Sequence, residues 1–406
     1  MRKPLLGWEL FVPNPRKLHL LPASVAFLCF LSLSCGAPLK PAAPQVTKAP
    51  SASVPVAQPS LAPPSASVVQ EGPAQPSPSV AANESPEVGT GEQLARQDGA
   101  PADESLSAGD RAFEAEDWRA ARRAFERARS KSPQDPAAYV GLARVLLAEK
   151  NIPLDFAARP KDPSAHAALS LVDKALAKDA DYGLAQLERG RILLILGEAE
   201  QALVSFSKAR ALLPKNAEAH GGWAVALLAT GKPSEALAGF KEAARLDAGS
   251  AARLGNLGTA YMMLGQVGEA LRVYRKAAQI APDDARVQGD LGTALLAQNQ
   301  PAEALPFLER AHRLAPDHAT FLSNIGYAQQ VQGQLELAVA SYRQALKLDP
   351  KLASAWINLG TALARQQKLR EAEVALKRAL ELDPTDPRAK VNLEELRALL
   401  KPGAAP

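Results

Sequence analysis

The sequence predicts an all-α solenoid, in which copies of one helical hairpin stack side by side. The first observation is a fixed period of 34 residues, which places glycine at 258, 292, 326 and 360 and alanine at 270, 304, 338 and 372. The second is the helical spacing of apolar residues within each period, interrupted once by a turn. A period of this length indicates a supersecondary unit that buries its apolar face only against neighbouring copies.

Each unit shows its elements in the same order. In the unit that begins at position 353, the first helix carries apolar residues on one face: Trp356, Leu359 and Leu363. The second helix has a matching pattern: Ala372, Leu376 and Ala379. The unit then ends at Asp383-Pro384, because proline cannot continue a helix.

The turn between the two helices has its own residues. Glycine stands there in four units, where a left-handed backbone is least costly for glycine: Gly197, Gly231, Gly265 and Gly333. Pro233 and Pro301 follow the turn as first-turn residues of the second helix, where proline loses no hydrogen bond. Small residues such as Gly258 and Ala270 are expected where the two helices cross, since a larger side chain would overpack that contact.

These positions resemble the tetratricopeptide repeat (TPR) family, whose units carry W/L, L, G, Y/L, A, F/Y/L, A and P at slots 4, 7, 8, 11, 20, 24, 27 and 32. The unit 251–284 fills those slots in order with Leu254, Leu257, Gly258, Tyr261, Ala270, Tyr274, Ala277 and Pro282. The resemblance implies a right-handed TPR superhelix of about eight helix-turn-helix units over residues 102–386, with an insertion near 151–163. Residues 387–400 form a further amphipathic helix that would cap the array, followed by a tail at 401–406.

Residues 1–35 are predicted to be an export signal. A basic head precedes an apolar run from Leu20 to Leu33, which is short for a permanent membrane span. The sequence Ser-Leu-Ser before Cys35 resembles a bacterial lipoprotein processing site, so we expect lipidation at Cys35 and attachment to the membrane through that lipid. Gly36 favours the outer membrane, facing the periplasm, by the same resemblance. A cleaved soluble periplasmic protein and an uncleaved anchor remain the alternatives.

Residues 36–101 are rich in Pro, Ala and Ser and nearly free of aromatic residues, which predicts a disordered tether. Both cysteines, Cys29 and Cys35, lie in the leader, so the repeats have no disulfide and no thiol chemistry. Removing residues 1–34 takes away four basic residues and one acidic residue, so the net charge falls from +4 to about +1. This balance argues against nucleic acid as a partner.

The sequence carries no motif for catalysis or for a cofactor. None of the five histidines pairs with a glutamate at i, i+4 spacing, and no phosphate loop or nucleophile elbow is present. His220 occupies slot 4 of its unit, where a packed histidine is expected rather than a metal ligand. We therefore expect a protein that is not an enzyme and binds no cofactor or metal.

The resemblance implies that the first helix of each unit lines a concave groove that holds a protein or peptide partner. Three glycines recur there at slot 5, although each costs about 1 kcal/mol in a helix: Gly221, Gly255 and Gly289. Apolar residues surround them: Leu187, Val225, Leu228, Met262, Met263 and Leu296. We expect a shallow apolar trough in which a partner approaches the glycines. The alternative is a loose exchange of glycine and alanine in an alanine-rich repeat.

Slot 6 of the same helices holds a row of polar side chains: Asn256, Asp290, Asn324 and Asn358. A side-chain amide donates and accepts at once, so such a row could hold the main chain of an extended peptide. Together these features predict an envelope scaffold, similar to lipidated TPR proteins that aid the assembly of pilus, secretin or outer-membrane complexes. A regulator that binds a cell-wall (peptidoglycan) enzyme is the alternative. The insertion near 151–163 is either a surface loop or a partner contact.

Overall fold

The computed structural model describes residues 93–95, 99–150 and 163–400. The predicted leader with Cys35, most of the predicted tether, nearly all of the insertion and the tail lie outside the described residues. Within the described part every regular element is an α-helix, so the prediction of an all-α solenoid is confirmed.

Sixteen of the seventeen described helices pair into eight hairpins, numbered 1 to 8 in chain order. Hairpins 1 to 4 are α1 Asp103–Glu114 with α2 Trp118–Lys131, α3 Pro136–Glu149 with α4 Ser164–Lys178, α5 Gly183–Leu196 with α6 Ala199–Leu212, and α7 Ala217–Ala229 with α8 Pro233–Leu246. Hairpins 5 to 8 are α9 Ala251–Met263 with α10 Val267–Ile280, α11 Ala285–Ala297 with α12 Pro301–Leu314, α13 Ala319–Val331 with α14 Leu335–Leu348, and α15 Ala353–Arg365 with α16 Leu369–Leu382. Helix α17, Pro387–Leu400, packs on hairpin 8 at the end of the array.

The turn residues adopt the backbone that the sequence predicts. The four turn glycines have φ between 70° and 81°, in the left-handed region. Helices α8 and α12 begin at Pro233 and Pro301, also as predicted. In three other hairpins the equivalent left-handed position holds a residue other than glycine: Glu116, Asn299 and Gln367. The turn thus keeps its left-handed backbone even where the residue adopts that conformation less readily than glycine does.

The two helices of a hairpin cross where the sequence places a glycine at slot 8. A Cβ atom added to Gly258 would lie 2.5 Å from the Cε1 atom of the Tyr274 ring, and one added to Gly360 would lie 2.7 Å from Cγ of Leu376. The facing residue at slot 24 is almost wholly buried in both hairpins, since Tyr274 and Leu376 belong to the core. The predicted close approach at the crossing is confirmed.

Replacing Gly258 with alanine is expected to lower the free energy of unfolding by about 1–3 kcal/mol, because the buried ring of Tyr274 has to move. Gly221→Ala is the matched control. Its Cβ atom would lie 3.4 Å from the Nη1 atom of Arg253 and 3.8 Å from Cβ of Ala243, so alanine should be neutral or stabilise by up to about 1 kcal/mol. Urea denaturation of both variants measures the difference, and equal midpoints would contradict the role of slot 8.

A hydrogen bond that the sequence analysis did not anticipate ties successive hairpins together. The side chain at slot 4 reaches the carbonyl oxygen six residues earlier, at the end of the preceding hairpin. Trp356 Nε1 donates to Pro350 over 3.0 Å, and Gln288 Nε2 donates to Pro282 over 2.9 Å. Nε2 of His220 lies 2.9 Å from the Pro214 oxygen in the same arrangement. His220 is therefore half-buried and has a structural partner, which agrees with its interpretation as a packed histidine.

The apolar core is divided along the array. A main cluster runs from Leu94 to Ile325, and a second cluster runs from Ala338 to Leu396. Between them, Ala319, Leu322 and Ala345 form a small cluster of their own. The division falls within hairpin 7. Among the described helices, none is long and apolar enough to span a membrane.

Candidate functional site

The first helices of the hairpins form the inner layer of the array. Each second helix packs on its own first helix and on the first helix of the next hairpin, and most successive first helices also contact each other. Eleven residues of α5 are buried, compared with four residues of α6. The candidate groove is therefore the surface of the first helices, which we call the inner wall.

The expected trough beside the three glycines is filled by the chain itself. Arg253 covers Gly221, and Arg286 covers Gly255, where an added Cβ atom would lie 2.8 Å from Arg286 Nη1. The ring of Phe321 lies against the third glycine, Gly289. In each case the covering side chain comes from the next hairpin. The prediction of open space for a partner at these glycines is wrong, because neighbouring hairpins use that space to approach each other.

Most of the predicted apolar groove residues belong to the core. Leu187 is fully buried, and the next three are almost completely so: Val225, Leu228 and Met262. Met263 and Leu296 are only half-buried. The predicted apolar stripe is thus mostly part of the core, and of its six residues Met263 and Leu296 are the two that keep exposed apolar surface.

The polar row at slot 6 also points to a neighbouring hairpin. Asn324 Nδ2 donates to Thr293 Oγ1 over 2.9 Å, and Asn392 Nδ2 of α17 donates to Thr361 Oγ1 over 3.0 Å. The acceptor is the slot 9 threonine of the preceding hairpin in both cases. The predicted arrangement, in which these amides grip a peptide, is therefore wrong for Asn324.

The amide lacks this bond where slot 9 of the preceding hairpin is not threonine. Val225 precedes Asn256 at that slot, and Tyr327 precedes Asn358. Among the described residues, Oδ1 of Asn256 and both polar side-chain atoms of Asn358 are buried without a hydrogen-bond partner. Since the two residues are only 3% and 1% exposed, they are closed to a peptide as well.

A row of paired charges, which the sequence analysis missed, runs along the inner wall from hairpin 2 to hairpin 5. We call it the charged ladder, and its members are Arg144, Glu188, Arg191, Glu218 and Arg253. Glu188 lies 2.6 Å from Arg144 and 2.7 Å from Arg191, while Glu218 lies 3.1 Å from Arg191 and 2.7 Å from Arg253. Each glutamate therefore joins two arginines from different helices.

The charged ladder is buried and neutralised. Its side chains are 4% to 16% exposed. Arg253 also lies 2.9 Å from Asp247. Burial lowers the pKa of Arg253, but the carboxylates of Glu218 and Asp247 outweigh that effect and raise it. A ladder that is already paired internally offers little to a charged partner, so it acts mainly in holding hairpins 2 to 5 together.

The next stretch of the inner wall is more open. Six residues of hairpins 5 and 6 are half-buried there and form what we call the central inner wall: Thr259, Met263, Arg286, Asp290, Thr293 and Leu296. Arg286 Nη1 lies 3.8 Å from Asp290 Oδ2, which is an ion pair but too long for a hydrogen bond. Within the described residues, buried Nη1 of Arg286 has no hydrogen-bond partner.

Asp290, the carboxyl group among these six residues, has a raised pKa. Burial raises its pKa to about 6, Arg286 opposes that change, and Asp284 adds to it. The side chain nevertheless keeps 31% of its surface exposed. Arg286 and Asp290 together present a partly exposed donor and acceptor in the first half of α11, and Met263 and Leu296 lie at the C-terminal ends of α9 and α11.

The described residues contain no group of three His, Cys, Asp or Glu side chains placed to hold a metal ion. The arrangement at the central inner wall suits hydrogen bonding and apolar contact. These are the contacts that hold a peptide segment.

The fold and its inner wall define a helical-repeat protein of the kind that binds other proteins. Models of the tetratricopeptide repeat match residues 112–153, 247–317 and 353–386, and a model described as TPR repeat matches residues 331–367. The chain therefore contains tetratricopeptide repeats, as the sequence pattern predicted. Repeats of this kind generally serve as non-catalytic scaffolds for protein interaction.

One solved structure supports the fold, and two others match with lower TM-scores. The APC/C hetero-tetramer Cut9-Hcn1 matches with a TM-score of 0.55 and 18% identity over 75% of this chain, and this chain covers 57% of the matched one. YrrB, described as a TPR protein with an unusual peptide-binding site, matches 46% of this chain and 95% of its own at 26% identity, with a TM-score of 0.37. PilF of Pseudomonas aeruginosa matches 54% of this chain and 98% of its own at 22% identity, with a TM-score of 0.47. No curated protein matches the sequence.

Proposed function

We propose that this chain is a non-enzymatic scaffold of the bacterial cell envelope that holds a segment of a partner protein on the central inner wall. The observation that carries this proposal is the ion pair of Arg286 and Asp290, whose side chains keep 26% and 31% of their surface exposed on the central inner wall.

The chemistry of the pair fits the main chain of a peptide. Arg286 can donate to a peptide carbonyl, while ionised Asp290 can accept from a peptide N–H. Met263 and Leu296 supply apolar contacts at the C-terminal ends of α9 and α11, and a methionine adapts readily to different side chains. An extended segment lying across hairpins 5 and 6 would contact the exposed parts of Arg286 and Asp290.

The envelope location is supported by the leader sequence, with its basic head, its apolar run and Cys35. Lipidation at Cys35 would place the array at the outer membrane, facing the periplasm. By similarity to lipidated TPR proteins, the narrower role is the assembly of pilus, secretin or outer-membrane complexes. Regulation of a peptidoglycan enzyme is the second candidate, and co-purification with one or the other class of protein separates them.

Crosslinking in intact cells tests the binding surface. A photoreactive residue at Met263 is expected to capture a specific protein, since this side chain is half-exposed on the central inner wall. The matched control carries the probe at Val204, which is 57% exposed on the second helix of hairpin 3. Capture that is equal at both positions, or absent at Met263, would remove the central inner wall as the binding surface.

The location is tested separately with Cys35→Ser. Labelled fatty acid should be incorporated into the wild-type chain and not into the variant, and the wild-type chain should fractionate with the outer membrane. Recovery of unlabelled wild-type chain in the periplasmic fraction would favour the soluble alternative.

A further inference from the structure

One end of the array carries an excess of positive charge. Helix α2, the second helix of hairpin 1, contains six basic residues and one acidic residue, Glu126, which gives it a net charge of +5. The other seven second helices have net charges between 0 and +2. Since the chain without residues 1–34 has a net charge of about +1, everything outside α2 is negative on balance. The excess of positive charge is therefore concentrated on hairpin 1.

Four of the basic residues form a stripe along the exposed side of α2, which we call the basic stripe: Arg119, Arg123, Arg127 and Lys131. They follow each other at intervals of four residues, which places them along one side of the helix, and all four are exposed. Within the described part of the chain, the three arginines form no ion pair, and Lys131 lies 3.7 Å from Glu104, whose side chain is 92% exposed. Such an exposed pair contributes little, so the stripe is not neutralised by the fold.

The stability of hairpin 1 does not account for the basic stripe. Like charges four residues apart on a helix repel each other, so the three successive pairs in the stripe weaken α2. Lys131 stands at slot 30, where hairpins 3 to 8 all carry leucine or isoleucine. Three acidic residues precede the stripe and weaken its field at the N-terminal end of α2: Glu114, Glu116 and Asp117. An anionic surface lying along the C-terminal half of α2 would relieve the repulsion.

The chain that leads back to the leader joins the array at the same hairpin. Leu94 is only 1% exposed and belongs to the main core cluster. The backbone N–H groups of Leu94 and Ala95 donate to Oδ2 of Asp110 in α1, over 2.9 and 3.1 Å. The prediction of disorder is therefore wrong for residues 93–95. Because this segment is fixed on hairpin 1, the chain toward Cys35 leaves the array beside the helix that carries the basic stripe.

We propose that the basic stripe is a docking surface for the anionic headgroups of a phospholipid membrane, which is the membrane that the lipid on Cys35 is expected to enter. This inference rests on the envelope location in the proposed function, and it adds a contact made by the folded array itself. An arginine can bind a phosphate through two N–H groups, and the attraction of several basic residues to an anionic membrane adds up.

The charge distribution also gives the docked array an orientation. An anionic membrane attracts hairpin 1 and repels the rest of the chain, which is negative on balance. Hairpin 1 would then face the membrane, and the central inner wall on hairpins 5 and 6 would stay free for a partner protein.

Vesicle binding tests the docking surface. The processed chain, residues 36–406, is prepared without lipid, so that it lacks the leader and keeps every described residue. At about 50 mM NaCl it should bind vesicles of about 30% phosphatidylglycerol in phosphatidylcholine at least about tenfold more tightly than vesicles of phosphatidylcholine alone. Co-sedimentation measures both affinities. Raising NaCl to about 500 mM should remove the difference, because salt screens the attraction.

Charge reversal within α2 locates the binding. The double variant Arg123→Glu with Arg127→Glu is expected to lose at least about tenfold in affinity for the phosphatidylglycerol vesicles. It should remain folded, because the new carboxylates lie four residues from Arg119 and Lys131 and form attractive pairs with them. Circular dichroism checks that the helices are kept.

The matched control makes the same change in charge on another second helix. Arg272 and Lys276 of α10 are exposed and four residues apart, and replacing both with glutamate should lower the affinity less than about twofold. Equal losses in the two double variants, or equal binding of the wild-type chain to both kinds of vesicle, would overturn the proposal. Binding to heparin without binding to the phosphatidylglycerol vesicles would overturn it too, by assigning the stripe to a soluble polyanion.

This test and the tests of the proposed function fail independently. The vesicle assay contains no partner protein and no lipid on Cys35, so a negative result leaves the central inner wall and the leader unaffected. Absence of crosslinking at Met263, in turn, would leave the vesicle result standing.

Discussion

Replacing Glu218 with glutamine is expected to lower the free energy of unfolding by about 1.5–3 kcal/mol, the range for losing hydrogen bonds to charged groups. Glu218 joins Arg191 and Arg253 across three hairpins, and its side chain is only 6% exposed. Glutamine keeps the shape but removes the charge, so Arg191 and Arg253 each lose one of their two carboxylate partners. Urea denaturation followed by circular dichroism measures the change.

Glu269→Gln is the control for that experiment. Glu269 also pairs with an arginine, Arg272 at 3.0 Å, but both side chains are more than half exposed. Exposed ion pairs contribute little because water screens them, so no measurable change is expected. A similar small effect at Glu218 would mean that the charged ladder does not hold the hairpins together.

Asp290→Asn is expected to stabilise the chain at pH 7 by up to about 3 kcal/mol. This figure is the free energy that corresponds to raising the pKa of Asp290 from 3.8 to about 6. The folded chain holds a proton on Asp290 up to pH about 6, whereas the unfolded chain loses it near pH 3.8. The folded state therefore binds more protons between these values, and the stability of the wild-type chain should fall as the pH rises through this window. Asparagine carries no charge to bury, and it matches the slot 6 residue of the neighbouring hairpins.

Thermal unfolding of the wild-type and Asp290→Asn chains at several pH values between 4 and 7 tests this expectation. The two curves should meet near pH 4 and diverge toward pH 7. Asn324→Asp provides the reverse change at the same slot of the next hairpin, and it should destabilise the chain at pH 7 because it places a carboxylate in a site that is 5% exposed. Parallel curves for wild type and Asp290→Asn would rule out a raised pKa at Asp290.

Features that depend on one unit alone could be predicted from the sequence. Two examples are the close approach of Gly258 to Tyr274 and the left-handed turns at Gly197 and its equivalents. Residues 34 positions apart have the same local environment in each unit, so the repeated pattern predicts both features. The period, the turn residues and the closing proline each indicate the same hairpin, so they support one another.

The inner wall could not be predicted in the same way, because it depends on pairs of residues from different hairpins. Glycine at position 255 predicts open space for a partner, but the side chain of Arg286 from the next hairpin covers that position. The charged ladder joins residues as far apart as Arg144 and Glu188, across an irregular second unit. One signal was available: an asparagine 31 positions after a threonine, as in Thr293 and Asn324, marks a bond between hairpins.

The division of the apolar core within hairpin 7 has a consequence for how unfolding is observed. Trp118 and Trp223 pack against the main cluster, whereas Trp356 packs against the second one. Because neighbouring repeats in a solenoid are coupled mainly through their interfaces, the two ends of the array can lose structure at different denaturant concentrations. Fluorescence from Trp356 then reports on hairpin 8 and α17, and the indoles of Trp118 and Trp223 report on the part of the molecule that contains Glu218 and Asp290.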